Sequence, residues 1–521
     1  WEVGSNPPAL SWDEAAWGYN AYSLGLTGRD EFGRFLPLDY LESFGDFKPP
    51  VYAYLSILPV KLFGLTEFAT RFASAFLGTL TVLLTYFLVK EIFAKQRERE
   101  GLALAASFLL AISPWHLMLS RAAFEANVAT FFLVAGVTCF LRGLRREDWW
   151  LAVAALSFGL SLQTFNSARV VAPLLMAGLV FAFRKVLWQK KKWTMVALIV
   201  GLTVLFPASR FFLTPQARLR YKEVNIFLDS SVVATANQEM ENDDWAWWSG
   251  IIHNRRWGYL RSFLRHYFDH FNPAFLFIKG DGNPKFSTQD VGELYLWELP
   301  FLIWGILFLF KKKGSIWWLL PFWLLASIIP AATARETPHA LRIETTLPTW
   351  QIFIALGLVE FWRWTRRRKC VVKNALRVVC CLLLVANFIY FQHNYWCHYP
   401  AKYSGEWQYG YQPALEFIKK VEGQYDEIWF TNELGRPYIY FLFYLQKKPP
   451  EFWQQAEIER EVLGFVKVKS FGKYHFFDQP DYNREGKILF FDTPGSVPQE
   501  AKIVKTFYLL NNNEVLKAFE V

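Results

Sequence analysis

The chain has 521 residues, 53% of them hydrophobic and 19% aromatic, with 50 Phe and 24 Trp. The apolar residues gather into long runs that charged residues rarely interrupt, which excludes an ordinary soluble enzyme and points to transmembrane helices. The net charge of +10 sits in short clusters between the runs, a pattern that sets membrane orientation and does not call for nucleic acid.

From its first residue, Trp1, the chain reads as loop, "GSNPPALSWDE", and a further span is expected ahead of it. Residues 51–63, "VYAYLSILPVKLF", are apolar but too short to cross a bilayer, so an interfacial helix is expected there. Ten spans follow at roughly 68–93, 101–114, 126–142, 149–165, 169–187, 193–213, 295–310, 315–333, 346–363 and 375–392. Alternate connections hold the basic clusters: "KQRER" at 95–99, "RGLRR" at 142–146, "RKVLWQKKK" at 184–192, "KKK" at 311–313 and "RWTRRRK" at 363–369. All five fall on one side if the spans alternate, and the excess of Lys and Arg makes that side cytoplasmic. The expected product is a polytopic α-helical protein of the plasma (inner) membrane. Its first loop, 1–67, is extracytoplasmic with interfacial helices. A transmembrane core, 68–392, carries a long outer loop at 214–294. A small extracytoplasmic α/β domain, 393–521, closes the chain. In that tail 413–421 and 437–446 read as helices, and 426–430, 487–491 and 502–510 as strands. The five cysteines give no disulfide framework, since Cys139, Cys370, Cys380 and Cys381 fall in or beside spans or in a basic loop and only Cys397 lies outside.

The outer face of a membrane lacks ATP and nucleotide sugars, so group transfer there needs a lipid-linked donor. A polyprenyl-phosphate sugar requires a carboxylate to take the acceptor proton and cations to hold the departing phosphate. Asp13 and Glu14 form an acidic pair in "LSWDEAAWGYNA", and Glu125 follows in "SRAAFEAN". Two adjacent carboxylates cannot point the same way, so one faces the pocket and the other pairs or orients. Lys48, Arg71, Arg121, Arg169, His339 and Arg342 lie at outer ends of expected spans, against the positive-inside bias, and are the candidate phosphate-binding groups. Trp12, Tyr19 and Asn20 are the candidate pocket lining. The competing readings are a solvated acidic loop and arginines that only snorkel to the headgroups. His266 and His270, at i and i+4, could chelate a metal, but a lone pair in an amphipathic helix is weak support, and no metal ligand set is assigned. A lipid or polysaccharide transporter or flippase is the alternative function, and it should show mid-membrane ionisable residues and paired repeats, which the sequence lacks.

The stretch from "WDEAAWGYNAYSLGLTG" through "FGDFKPPVYAYL" to "RFASAFLGTL", with "SRAAFEAN", "QTFNSARVVAP" and "TPHALR", resembles the GT-C membrane glycosyltransferases. More narrowly it resembles the bacterial family 39/RgtA–D-like proteins, related to protein O-mannosyltransferases and the lipid A aminoarabinose transferase, over about residues 8–390. The resemblance implies a GT-C fold and inverting transfer of a sugar from a polyprenyl-phosphate donor to an acceptor hydroxyl at the extracytoplasmic face. It implies Asp13 as catalytic base with Glu14 beside it, and Glu125 as the second-loop acid. Arg71 is implied near the donor phosphate, and Lys48 stands before the proline pair. Arg169, His339 and Arg342 are implied around the phosphate. The acceptor could be lipid, glycan or protein. A divalent cation serves some relatives and not others.

Overall fold

The computed structural model describes residues 2–212, 214, 225–311, 316–460, 466–482 and 484–521. The expected basic cluster at 311–313, the first part of the loop 214–294, and the ends of two expected spans at 213 and 315 lie partly outside the described residues. The chain divides into two compact units. The first comprises Trp1–Phe76, Ser120–Glu125 and Gln392–Val521, and the second Leu77–Leu119 and Ala126–Phe391.

In the first unit, helix α1 (Trp12–Thr27) starts at a Ser11 cap and stops at Gly28, whose φ of 68° suits a residue without a Cβ. A short hairpin of β1 (Leu41–Ser43) and β2 (Asp46–Lys48) follows. Its turn contains Gly45 at φ 80°, and it leads directly into Lys48. Helix α2 (Val51–Phe63) is the expected short apolar helix. It buries Tyr52, Ala53, Ser56 and Val60 and exposes Leu55, Leu58, Leu62 and Phe63.

The tail supplies a seven-stranded sheet. Its strands are β3 (Glu427–Thr431), β4 (Glu457–Arg460), β5 (Val466–Phe471), β6 (Tyr474–Phe477), β7 (Ile488–Asp492), β8 (Lys502–Tyr508) and β9 (Glu514–Glu520), in the order β4-β5-β6-β3-β7-β9-β8. β3 runs parallel to both β6 and β7, and the remaining pairs are antiparallel. Helix Pro437–Tyr444, "PYIYFLFY", has every residue from Pro437 to Phe443 buried, as a helix apolar all round must. Each of its aromatic side chains contributes about 1.5–3 kcal/mol by burial.

One core joins the tail to the first loop. Leu10, Ala15, Ala16, Tyr19 and Phe44 belong to the same buried cluster as Tyr411, Phe430, Tyr440 and Phe441. Tyr411 and Tyr440 stack at 4.0 Å, and the Tyr440 hydroxyl donates to the Leu10 carbonyl at 3.1 Å. Trp453 Nε1 donates to the Glu31 carbonyl at 2.9 Å, and Arg460 forks onto Glu42 at 2.5 and 3.1 Å. The tail therefore folds with residues 1–76 as one body.

Glu31 sits at the centre of that joint. Tyr438 OH donates to its Oε1 at 2.6 Å, and Asn20 Nδ2 and Ser43 Oγ donate to its Oε2 at 3.1 and 2.9 Å. Burial raises its carboxyl from 4.5 to about 7, against the three donors, which lower it. The unfolded chain ionises Glu31 near 4.5, whereas the fold resists ionisation up to about 7. Folding thus takes up a proton within that window. Stability should be full below about pH 4.5 and fall as pH rises to about 7, by a total of about 3 kcal/mol. The melting temperature of the purified protein should be lower at pH 8 than at pH 5, and Glu31→Gln should flatten most of that slope. Asp30, raised by burial to about 6, adds a smaller slope of the same sign. An unaltered slope in Glu31→Gln would acquit Glu31.

The second unit is helical. Among the described residues, five helices are long and apolar enough to cross a membrane: α3 (Glu67–Ile92), α6 (Glu125–Arg145), α8 (Ala168–Gln189), α9 (Lys191–Phe212) and the segment Cys370–Lys402. A sixth span results if α4 (Arg99–Ile112) and α5 (Pro114–Arg121) count as one, bent by 57°. The bend falls at Ser113, whose ψ of 127° is extended, as the residue before a proline prefers. The remaining expected spans contain shorter helices, namely α7 (Trp150–Leu162), Leu299–Lys311, Leu319–Ala332 and Thr349–Arg366. Each of the ten expected segments thus holds a helix, and the chain is a multi-pass membrane protein. The apolar windows of α9 and Cys370–Lys402 are each only 11% buried, the signature of helix surface turned toward lipid.

The basic connections gather at one end of this unit through ion pairs. Glu91 faces Arg142 at 4.0 Å, Arg145 at 3.5 Å and Arg146 at 3.7 Å. Lys190 pairs with Asp148 at 2.6 Å, and Arg363 with Glu98 at 2.6 Å. Elsewhere in the unit, Leu299–Lys311 and Thr349–Arg366 cross with their backbones touching. A Cβ built on Gly305 would overlap the Phe353 carbonyl, and one on Gly357 the Phe301 carbonyl. Gly357→Ala should therefore lower the melting temperature well beyond the loss from an exposed substitution, because neither backbone can give way to a methyl group.

Candidate active site

Ser11, Trp12, Asp13 and Glu14 form a capping box. Ser11 Oγ accepts from the Glu14 amide at 3.4 Å, and Glu14 Oε2 accepts from the Ser11 amide at 3.0 Å. The box turns Glu14 inward. Its Oε1 accepts from Arg71 Nε at 2.8 Å and from the Ala123 amide at 2.9 Å, and its Oε2 from Arg71 Nη2 at 3.2 Å. Both side chains of this pair are fully buried.

Arg71 is saturated. Besides Glu14, its Nη1 donates to the carbonyls of Val3 at 3.1 Å and Pro7 at 2.8 Å, and its Nη2 to that of Ala9 at 2.5 Å. The guanidinium also stands 5.7 Å from the Trp407 ring. With its donors engaged on Glu14 and three carbonyls, Arg71 pins the strand of chain that enters α1. That is a different task from the phosphate contact expected of it.

Asp13, one residue earlier on the helix, has the opposite environment. Its side chain is 50% exposed and forms an ion pair with Lys48, itself 9% exposed. The Lys48 ammonium lies 5.2 Å from the Trp17 ring and 5.6 Å from the Phe44 ring, which fixes its stem and steers the carboxylate. Glu125, at the start of α6, lies in the field of Lys48 and of the carboxylates Asp13 and Asp46. Asp13, Lys48 and Glu125 are therefore brought together.

The other expected residues are distributed differently. Arg121 donates from Nε to the Tyr395 hydroxyl at 2.9 Å and from Nη2 to the Glu2 and Asn6 carbonyls at 2.9 and 3.0 Å, and it stands 4.6 Å from the Trp396 ring. It clamps the same entering segment as Arg71. Trp12 donates its amide to Gln408 Oε1 at 3.1 Å. Tyr19 is buried, with its hydroxyl on the Lys447 carbonyl at 3.1 Å. Asn20 serves the Glu31 network. Tyr19 and Asn20 thus hold the first loop to the tail.

Arg169, His339 and Arg342 belong to the second unit. Arg169 lies 5.6 Å from the Phe211 ring. Arg342 donates to the Glu336 carbonyl at 3.1 Å and faces its carboxylate at 3.6 Å. His339 packs on Phe286 at 4.9 Å, with Nδ1 3.8 Å from Asp281. Burial first, and then the charges of Arg342 and His270, hold its imidazole well below the usual range. His339 is therefore neutral at pH 7 and can offer a phosphate a hydrogen bond but no charge. His266 and His270 are turned to backbone, at the Ala334 and His266 carbonyls, each at 2.8 Å. Among the described residues no group of three or more His, Cys, Asp or Glu could hold a metal ion.

Sequence reasoning missed Ser11 and Trp17. The S-x-x-E spacing of Ser11 and Glu14 is a capping-box signature and by itself assigns Glu14 to the helix end.

With this geometry in place, the comparisons define a fold. The chain has the fold of ArnT from Cupriavidus metallidurans, at 12% identity in both of its states. The apo structure gives a TM-score of 0.53, covering 97% of this chain and 93% of that one. The structure bound to undecaprenyl phosphate gives 0.52, covering 98% and 94%. It is also similar to the archaeal oligosaccharyltransferase AglB from Archaeoglobus fulgidus in complex with an inhibitory peptide and a dolichol-phosphate. There the TM-score is 0.50 at 14% identity, covering 84% of this chain and 60% of that one. This is the GT-C fold, with a β-sheet domain at its C-terminal end. Residues 47–210 match the family model described as dolichyl-phosphate-mannose-protein mannosyltransferase. An uncharacterized protein from Aquifex aeolicus (strain VF5) is 28% identical over 227 residues, 41% of this chain and 44% of its own length. The match thus spans a little under half of that relative.

Proposed function

We propose that the protein is an inverting glycosyltransferase that moves a sugar from a polyprenyl-phosphate donor to an acceptor hydroxyl at the extracytoplasmic face of the membrane. The observation that carries this reading is the half-exposed Asp13 carboxylate, held by Lys48 at the head of α1 while Glu14 beside it is buried. In a single displacement the acceptor oxygen attacks the anomeric carbon as the bond from that carbon to the phosphate oxygen breaks. The hydroxyl proton passes to Asp13, and the lipid phosphate leaves with the bonding electrons. Lys48 orients the base, and Glu125 shares its field. Arg169 and Arg342 are proposed as charged contacts to the phosphate, and His339 as a neutral hydrogen-bond donor to it. Arg71 and Glu14 position the loop rather than touch substrate.

The likeness to structures that hold undecaprenyl phosphate and a dolichol-phosphate supports a lipid-phosphate donor. The basic connections gathered at one end of the second unit support a cytoplasmic orientation for that end. Ten spans that simply alternate along the chain from that orientation carry the first loop and the tail to the extracytoplasmic side. Lipid, glycan and protein acceptors all fit this chemistry.

The test is transfer by the purified protein in proteoliposomes, supplied with labelled polyprenyl-phosphate mannose, another hexose or a pentose and with envelope lipid or glycan acceptors. Release of polyprenyl phosphate, with the sugar joined to acceptor at inverted configuration, is expected. Movement of labelled donor between leaflets with no transfer would replace this reading by lipid transport.

A further inference from the structure

The second unit contains a groove of about 630 Å³ that runs along α7, α8 and α9, touches Phe140 of α6, and reaches the end of α8 that meets the basic connection at 184–192. Its walls are apolar, among them Phe158, Met195 and Leu202. Small residues make the space. Gly201 of α9 faces Ala155 of α7, so that a Cβ on the glycine would stand 3.8 Å from the alanine methyl. Helix α8 departs from helical geometry at Phe183, with φ −110° and ψ 16°, immediately before Arg184. At this end the lining turns basic, with Arg184 and Lys191, and it includes no carboxylate. The neighbouring Lys190 is already engaged by Asp148. Trp188, 82% exposed, stands beside them, as an aromatic residue at a headgroup boundary does.

Such a groove is unlike the Asp13 site in chemistry, and all its lining belongs to the second unit. Arg184 lies about 24 Å of helix rise along α8 from Ala168, the end at which Arg169 sits. An apolar trough with two cations at its mouth and no acid fits a lipid with hydrocarbon chains and a phosphate diester. A zwitterionic headgroup would set its own ammonium against Arg184 and Lys191. We propose that this groove is a binding site for an anionic glycerophospholipid, with its acyl chains along α7 and α9 and its phosphate between Arg184 and Lys191. The proposal stands on the groove and does not depend on the sugar-transfer reading.

The experiment is native mass spectrometry of the full chain in mild detergent. Phosphatidylglycerol, phosphatidylcholine with the same chains, and undecaprenyl phosphate are titrated in turn. Each basic group near a headgroup adds about fivefold to affinity, so phosphatidylglycerol should be retained over phosphatidylcholine by about thirtyfold. Arg184→Gln/Lys191→Gln should abolish that preference, and Gly201→Leu should lower retention of both phospholipids by filling the trough. The charge variant decides alone if the filled variant does not fold, since Arg184 and Lys191 lie at the exposed end. Equal retention of the two phospholipids, or a preference unchanged in the charge variant, overturns the proposal. So does a loss of undecaprenyl phosphate binding in that variant equal to the loss for phosphatidylglycerol, which would make the groove part of donor binding.

Discussion

Asp13→Asn lowers turnover by about 10²–10⁴-fold, the usual contribution of a positioned general base, and leaves donor affinity and melting temperature near those of the parent protein. Three observations set these expectations. The Asp13 side chain is half exposed, so an isosteric amide meets little packing resistance and should change stability by no more than about 0.5 kcal/mol. The amide keeps a hydrogen-bonding oxygen toward Lys48 but cannot accept a proton. Glu14 cannot substitute, because it is buried and bound by Arg71, Ser11 and Ala123. Initial rates with a lipid-linked sugar, alongside a separate donor-binding titration, make the check. A variant that transfers at near the parental rate would remove Asp13 as the base and leave Glu125 as the remaining carboxylate in the field of Lys48.

Arg71→Ala has the second large effect, and it falls on folding. The substitution leaves the buried Glu14 carboxylate without its cation and frees three carbonyls that Arg71 now satisfies. Breaking a buried pair in this way costs about 3–5 kcal/mol, a large share of an ordinary stability of about 5–15 kcal/mol. Limited proteolysis of residues 1–76 should accelerate, and the melting temperature should fall sharply. Arg71→Met combined with Glu14→Gln should recover a substantial part of the loss, since no charge is then buried alone. A phosphate contact would behave differently, with an unchanged melting temperature and weaker donor binding. The two measurements on one sample distinguish the roles.

Much of the fold was legible because lipid demands long apolar runs. The ten expected segments all hold helices, and α2 stands where a short interfacial helix was expected. In the tail, "DEIWF" and "KILFF" became β3 and β7. Strand β9, "EVLKAFE", was missed because Glu, Leu, Lys and Ala are good helix formers, and only its pairing with β7 and β8 makes it a strand. In the candidate site, Asp13, Lys48 and Glu125 could be named from residue type and location. The different fates of Asp13 and Glu14 needed the capping box, which is written in the sequence as S-x-x-E. The engagement of Arg71 could not be read there, since its partners Val3, Pro7 and Ala9 offer backbone carbonyls, and every residue has one. Tyr19 and Asn20 misled for a related reason. Aromatic and amide side chains beside an acidic pair suit a sugar, but they suit a core contact equally: the Tyr19 hydroxyl donates to the Lys447 carbonyl, 428 positions away, and Asn20 donates to the Glu31 carboxylate that also accepts from Tyr438.

The shared core of residues 1–76 and 392–521 has a consequence for biogenesis. The segment bearing Asp13 leaves the ribosome before the sheet that must cover it has been translated. About 300 residues separate the two parts, so the wait is about 15–60 s at ordinary elongation rates. During it Leu10, Phe44 and Tyr19 have no partner and present apolar surface to whatever holdase or translocon component is at hand. A ribosome that stalls beyond the last membrane helix, or a nonsense codon there, leaves a protein that is inserted in the bilayer yet holds the Asp13 segment in an unfolded loop.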